Sequence, residues 1–205
     1  MTNIPKNDKQ AARIDFLECV KNHEIKVELD RGLHRCIKFS RPESSVYQFR
    51  LTTWPGYLAV SGDMGEYIFS RLPDMFGFFR SDELEINYSY WTEKLKSVSK
   101  FGGSKSRHGY EDFDGEATVE ALLSTCADND EKPDYNKDSL ENLKHASNEY
   151  EALEIMSNQM DIEEAYDYLR YKPTYHIIWI LYAIVWGIQQ YDKYKEDEKF
   201  SDIGL

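Results

Sequence analysis

The sequence predicts an α+β fold: an antiparallel β-meander of about four strands over residues 33–71, packed against a mainly helical C-terminal half. Three observations predict it. Apolar residues recur with a period of two before residue 71, they recur with a helical period after residue 111, and an unbroken apolar run fills residues 177–188. With 205 residues, 41% of them hydrophobic and 14% aromatic, the chain has the material for a sizeable core.

Taken in order, residues 11–21 place Ile14, Leu17 and Val20 at helical spacing between charges, which predicts a short amphipathic helix. Leu33, Ile37 and Phe39 then alternate with His34 and Lys38, and Tyr47, Phe49 and Leu51 alternate with Gln48 and Arg50, the pattern of half-buried strands. Pro55-Gly56 and Gly62-Asp63-Met64-Gly65 supply two reversals, with β-prone runs at 57–61 and 67–70. Pro73 stops the last strand, and Asp74 is placed to cap a short helix through Phe79. Residues 91–98 read as helical, and 101–110, rich in small and basic residues, as a loop.

Beyond the loop, helices are expected at 117–126, 140–156, 163–171 and 174–195, with a break at 128–138 around Pro133. Pro173 ends one helix and suits the first turn of the next, where its missing N–H leaves no bond unmade. The run at 177–188 is too short for the roughly 20 residues that cross a bilayer, so a buried helix at the centre of the C-terminal half is expected. The domain reading is an N-terminal helix and sheet over 1–100, a loop over 101–110, and an acidic helical region over 111–205 packed with the sheet as one domain.

The formal net charge of −12 argues against general attraction to nucleic acid or anionic lipid and favours a basic partner. Three cysteines, Cys19, Cys36 and Cys126, an odd number without close pairing, indicate a reducing compartment. Residues 1–12 are polar and lack the pattern of a secretory signal. A cytoplasmic location follows as the expectation.

Charge is unevenly placed. Residues 111–164 hold seventeen Asp or Glu and three Lys or Arg, a net of −14, against +3 for residues 1–110. One reading is ordinary solvated helix faces. The other is a negative surface that imitates a phosphate backbone and meets a basic groove. The partner-binding candidates are Glu111, Asp112, Asp114, Glu116, Glu120, Asp128, Asp130, Glu131, Asp134, Asp138, Glu141, Glu149, Glu151 and Glu154, with Trp54, Tyr57, Asp63 and Glu66 at the two turns. Trp54 and Tyr57 either present an aromatic patch to a partner or close the end of the core. Asp63 and Glu66 either bind a cation or shape the turn.

Tests for chemistry return no signature. Cys19 and His23 are four apart on a helix, and His34 and Cys36 share a strand face, but the spaced second pair of a structural zinc site is missing, so no metal is expected. Residues 102–106, Gly-Gly-Ser-Lys-Ser, lack the spacing of a phosphate-binding loop. His108 with Glu111 or Asp112, and His176 beside Tyr175, have no nucleophile in a recognisable context. No cofactor is expected and no catalytic residue can be assigned.

The segment Thr53-Trp54-Pro55-Gly56-Tyr57, through Ser61-Gly62-Asp63-Met64-Gly65-Glu66-Tyr67 to Phe69-Ser70-Arg71 and Asp74-Met75-Phe76, resembles one found in small accessory proteins of bacteriophages and prophages. The resemblance covers roughly residues 33–80. As a class, small acidic phage accessory proteins resemble inhibitors of host defence that block nucleic-acid-binding complexes, some by mimicking DNA. The expectation is therefore a phage-encoded acidic interaction protein that binds and inhibits a host nucleic-acid-binding or defence complex through a basic surface, without touching nucleic acid or membrane itself. The alternatives are a small phage enzyme or ligand-binding protein with a site near the 102–112 loop or the 62–66 turn, and a scaffold or oligomer-forming protein.

Overall fold

The structure is a computed structural model that describes residues 6–99, 106–128 and 135–202. The fold is α+β, with an N-terminal antiparallel meander and a helical C-terminal half. Two compact units make up the chain: residues 3–101 together with 175–205, and residues 102–174.

The first unit is built on a six-stranded antiparallel sheet in which every strand lies beside its neighbour in sequence: β1 Glu24–Arg31, β2 His34–Ser40, β3 Phe49–Trp54, β4 Tyr57–Gly62, β5 Tyr67–Ser70 and β6 Leu95–Val98. The period-two pattern is explained by one buried face. Ile37, Phe39, Phe49, Leu51, Leu58, Val60, Tyr67 and Phe69 point inward, and each is no more than 1% exposed. Pro55 and Gly56 make the β3–β4 reversal, with Gly56 at φ +85°, a left-handed value that glycine adopts freely.

Helix α1, Lys6–Val20, and the long helix later in the chain, Tyr175–Asp202, belong to this unit together with α2, Met75–Phe79, and α3, Tyr88–Thr92. The run Ile177–Val185 is buried on every side because one face of the helix meets the sheet and another meets α1. Phe16 packs edge-on against Trp179 at 5.2 Å, and Phe39 stacks on Phe49 at 4.7 Å beneath Trp186. Gly187 permits the close approach: a Cβ there would stand 2.8 Å from Leu51 and 3.1 Å from Phe39.

Asp74 caps α2 as expected, accepting the Phe76 N–H at 3.0 Å. It also neutralises Arg35, which is buried and reaches it through two bonds of 2.9 and 3.1 Å while lying over the Phe76 ring.

The second unit carries a three-stranded sheet of β7 Ser106–Arg107, β8 Glu111–Phe113 and β9 Tyr171–Pro173, with helices α4 Gly115–Asp128, α5 Lys137–Lys144 and α6 Glu149–Met160. The helix Tyr175–Asp202 of the first unit is α7. Leu122, Leu143, Ala152, Ile155, Met156, Met160, Ala165 and Leu169 form the core of the second unit. Gly115 sits so close to the end of α5 that a Cβ would stand 2.3 Å from the Lys144 carbonyl oxygen.

Four local expectations are corrected. Residues 24–31, not foreseen as a strand, form β1. Of the helix expected at 91–98 only Trp91 and Thr92 are helical: α3 starts earlier, capped by the Asn87 side chain, and Leu95–Val98 pairs with β5. The helix expected at 140–156 is two helices, because Asn148 accepts the Tyr150 and Glu151 N–H groups at 3.0 Å and starts a new one. The helix expected at 163–171 shrinks to a 3-10 turn, Ala165–Tyr168, because Tyr171–Pro173 pairs with Glu111–Phe113 and the residue before a proline avoids the helical region.

Candidate functional site

Charge divides along the boundary between the units. Residues 102–174 hold eighteen acidic and seven basic side chains, a net of −11, while residues 3–101 with 175–205 account for −1. Within the acidic unit the helices dictate which carboxylates reach solvent. Glu116 and Glu120 are four apart on α4, Asp138 and Glu141 three apart on α5, and Glu151 and Glu154 three apart on α6, so each helix carries an exposed acidic pair on one face.

Several of these carboxylates also hold the unit together. Asp114 accepts the Ala117 N–H at the start of α4 and lies 3.9 Å from Lys172. Glu116 pairs with Lys144 at 2.9 Å, and the hydrogen bond from that ammonium, followed by its charge, lowers the Glu116 carboxyl below its ordinary value. Glu141 meets His145 at 2.8 Å, and Glu149 accepts the Tyr171 hydroxyl. Glu151 accepts both the N–H and the hydroxyl of Ser147, at 2.7 and 2.6 Å, and completes the cap of α6. Glu111 and Asp112 are half-buried in β8, with Asp112 opposite Lys172. Asp128 ends α4, and Asp130, Glu131 and Asp134 lie outside the described residues.

An open groove of about 440 Å³ runs between α5 and α6, lined by Asn142, His145, Glu151, Glu154, Asn158 and Gln159 above Ile155. Two aromatic side chains of the same unit, Tyr150 and Tyr166, are 74% and 75% exposed. Sequence reasoning had not singled them out, although each stands beside carboxylates, Tyr150 between Glu149 and Glu151 and Tyr166 beside Asp167.

The turn candidates sit elsewhere. Trp54 and Tyr57 do not close the core: they stack on each other at 5.2 Å, paired across β3 and β4 on the face opposite buried Thr53 and Leu58. Asp63 accepts the Tyr47 N–H at 2.9 Å and thereby fastens the 41–48 loop, while the Glu66 backbone exchanges two bonds with Ser99. Asp63 therefore shapes the turn, as such residues commonly do.

The residue pairs considered for chemistry are spread apart. The His23 ring bonds the Tyr47 carbonyl at 2.9 Å, and its burial, with help from nearby Arg41, pushes its pKa below the ordinary value. The Cys36 thiol donates to Glu28, His108 stacks on Tyr110, and His176 lies edge-on to Tyr175. Among the described residues no group of three or more His, Cys, Asp or Glu stands close enough to hold a metal ion. No helix of the described residues is long and apolar enough to cross a membrane. Compared with protein-family models, curated proteins and solved structures, the chain has no match.

Proposed function

We propose that the chain is an interaction protein whose acidic unit, residues 102–174, docks on a basic protein surface and occupies the ground that nucleic-acid phosphates would take. The observation that carries this reading is the confinement of −11 of the −12 charges to one compact unit. Carboxylates gathered in one unit make the local potential more negative, which speeds association with a basic partner and rejects acidic ones. Tyr150 and Tyr166 give the surface large aromatic contacts with little rotamer freedom to lose, the residue type that anchors interfaces. Under this reading the partner is a nucleic-acid-binding complex, and the likeness of residues 53–76 to phage accessory segments makes a host defence complex the first class to test.

The experiment is affinity capture with the wild-type chain and with a variant carrying Glu120→Lys, Glu154→Lys, Glu163→Lys and Glu164→Lys. None of these four makes a side-chain capping bond or an ion pair among the described residues, so the fold should survive. The wild type should retain a nucleic-acid-binding protein that double-stranded DNA and moderate salt displace, and the variant should lose it. Capture that is equal for both chains and indifferent to salt would overturn the reading.

A further inference from the structure

We propose that the outward face of the six-stranded sheet carries a second site, a pocket for a phosphoryl group formed by Lys38, Arg50, Gln48 and Ser61. The strand register assembles it. Lys26 lies opposite Lys38, Lys38 opposite Arg50, and Arg50 opposite Ser61, so three cations stand in one row across three adjacent strands. Like charges directly opposite each other on a sheet weaken it, so the row costs stability unless an anion joins it.

Among the described residues one carboxylate makes ion pairs with the row, and it does not reach all of it. Glu28, at the irregularity in β1 between Val27 and Leu29, stands 3.1 Å from Arg50 and 4.0 Å from Lys26. Lys38 has no carboxylate partner among the described residues. The Arg50 Nε is buried and has no hydrogen-bond partner, a donor left unmatched at a cost of about 1–3 kcal/mol. Lys38 and Arg50 line one concavity, and two cations on one concavity are an arrangement that a bound oxyanion completes, with arginine offering a planar fork and lysine a point charge.

The space is shaped accordingly. A concavity of about 210 Å³ is lined by Lys38, Gln48, Phe49, Arg50, Ser61 and Gly62, and its two charged residues are both positive. It adjoins a wider groove of about 460 Å³ that shares Lys38 and Gln48 and adds Arg41, whose Nε is likewise buried without a partner. Glu24 and Glu43 line that wider groove, so the smaller concavity is where a phosphoryl group settles. Gly62 makes the corner possible: its φ is +155°, and a Cβ would stand 2.2 Å from the Gln48 carbonyl oxygen. Along the same face, beyond Thr52 and Ala59, lies the Trp54–Tyr57 stack, about 13 Å from Arg50 at the rise of an extended strand.

The test is an amide-resonance titration of the full chain with pyrophosphate, with adenosine diphosphate and a short oligothymidylate as further arms and sodium chloride as the ionic-strength control. Pyrophosphate should shift resonances of residues 36–50 and 59–62, and Lys38→Ala, which breaks no described ion pair, should weaken binding about tenfold. Arg50→Gln should act in the same direction, and Lys21→Ala, in the turn after α1, should leave affinity unchanged. Tighter binding of adenosine diphosphate than of pyrophosphate would make the source a nucleotide, and affinity rising with oligothymidylate length would make it a single strand. The proposal is overturned if millimolar pyrophosphate shifts nothing beyond the chloride control, or if Lys38→Ala binds it as well as the wild type.

Discussion

Replacing Asp74 with alanine should remove two supports of the sheet unit at once. The Arg35 side chain is 10% exposed and that of Asp74 37%, so the pair lies where solvent meets the interior. Deleting one partner of a buried pair costs about 3–5 kcal/mol, because the survivor stays charged and desolvated, and solvent access to Asp74 brings this toward about 2 kcal/mol. The lost cap of α2 adds about 1 kcal/mol, giving a total of about 3 kcal/mol. Arg35→Met removes the buried charge while leaving Asp74 solvated and still capping, so it should cost less, and the two losses should not add in the double variant. Urea unfolding followed by tryptophan fluorescence is the assay, since Trp54, Trp91, Trp179 and Trp186 all belong to the sheet-bearing unit. Burial alone would raise the Asp74 carboxyl, but hydrogen bonds from Arg35 and the Phe76 N–H, with the Arg35 charge, hold it below its ordinary value of 3.8. A carboxyl lowered by folding contributes stability above that ordinary value and loses it as pH falls through the folded one. The gap between wild type and Asp74→Ala should therefore be full at pH 7 and close below pH 3.8. A loss under about 1 kcal/mol at pH 7, or strict additivity in the double variant, would refute the argument.

Other outcomes follow from single contacts. Gly115→Ala places a methyl against the Lys144 carbonyl and should destabilise the acidic unit, read as faster amide exchange in 115–169 with the tryptophan transition unmoved. Asn148→Ala removes the acceptor of two N–H groups and should cost that unit about 1 kcal/mol, seen as fraying of the first turn of α6 in exchange. The Tyr67 hydroxyl is buried without a partner, and desolvation raises its pKa to about 12, so an ultraviolet titration should lose its late phenolate step in Tyr67→Phe. That variant should be at least as stable as the wild type, because no hydrogen bond is lost with the oxygen.

The fold class was legible because periodicity survives in the sequence wherever a single face is buried. Phe49, Leu51 and Thr53 alternate with Arg50, Thr52 and Trp54 in sequence as they do in burial. Where local signals conflicted with tertiary pairing, the pairing prevailed: Leu95–Val98 and Tyr171–Pro173 become strands only because β5 and β8 offer unpaired edges. The split at Asn148 was readable in principle, since an asparagine followed three residues later by a glutamate is a helix-start signature. Strand β1 was readable too, from the alternation of Ile25, Val27 and Leu29. The charge map needed no structure, but its division did: α7 sits with the sheet, 169 residues after α1 starts, and no local pattern announces that. The row of cations was equally hidden. Lys26, Lys38 and Arg50 are ordinary outward residues on three strands until the register sets them side by side.

Division of the charge between units also changes what the net value can exclude. A total of −12 argues against attraction to phosphates only if the charge is spread evenly, and it is not. At physiological salt the field decays over about 8 Å, so a bound group responds chiefly to its nearest charges. The charges that line the concavity on the sheet are Lys38 and Arg50, both positive, with Glu28 paired to Arg50 beside them. On α4 to α6 they are mostly carboxylates. One chain can therefore repel polyanions as a whole, draw a basic partner with one unit and hold a single phosphoryl group on the other. The two interactions should separate experimentally: charge reversal on α4 and α6 should leave pyrophosphate binding intact, and Lys38→Ala should leave capture of a basic partner intact.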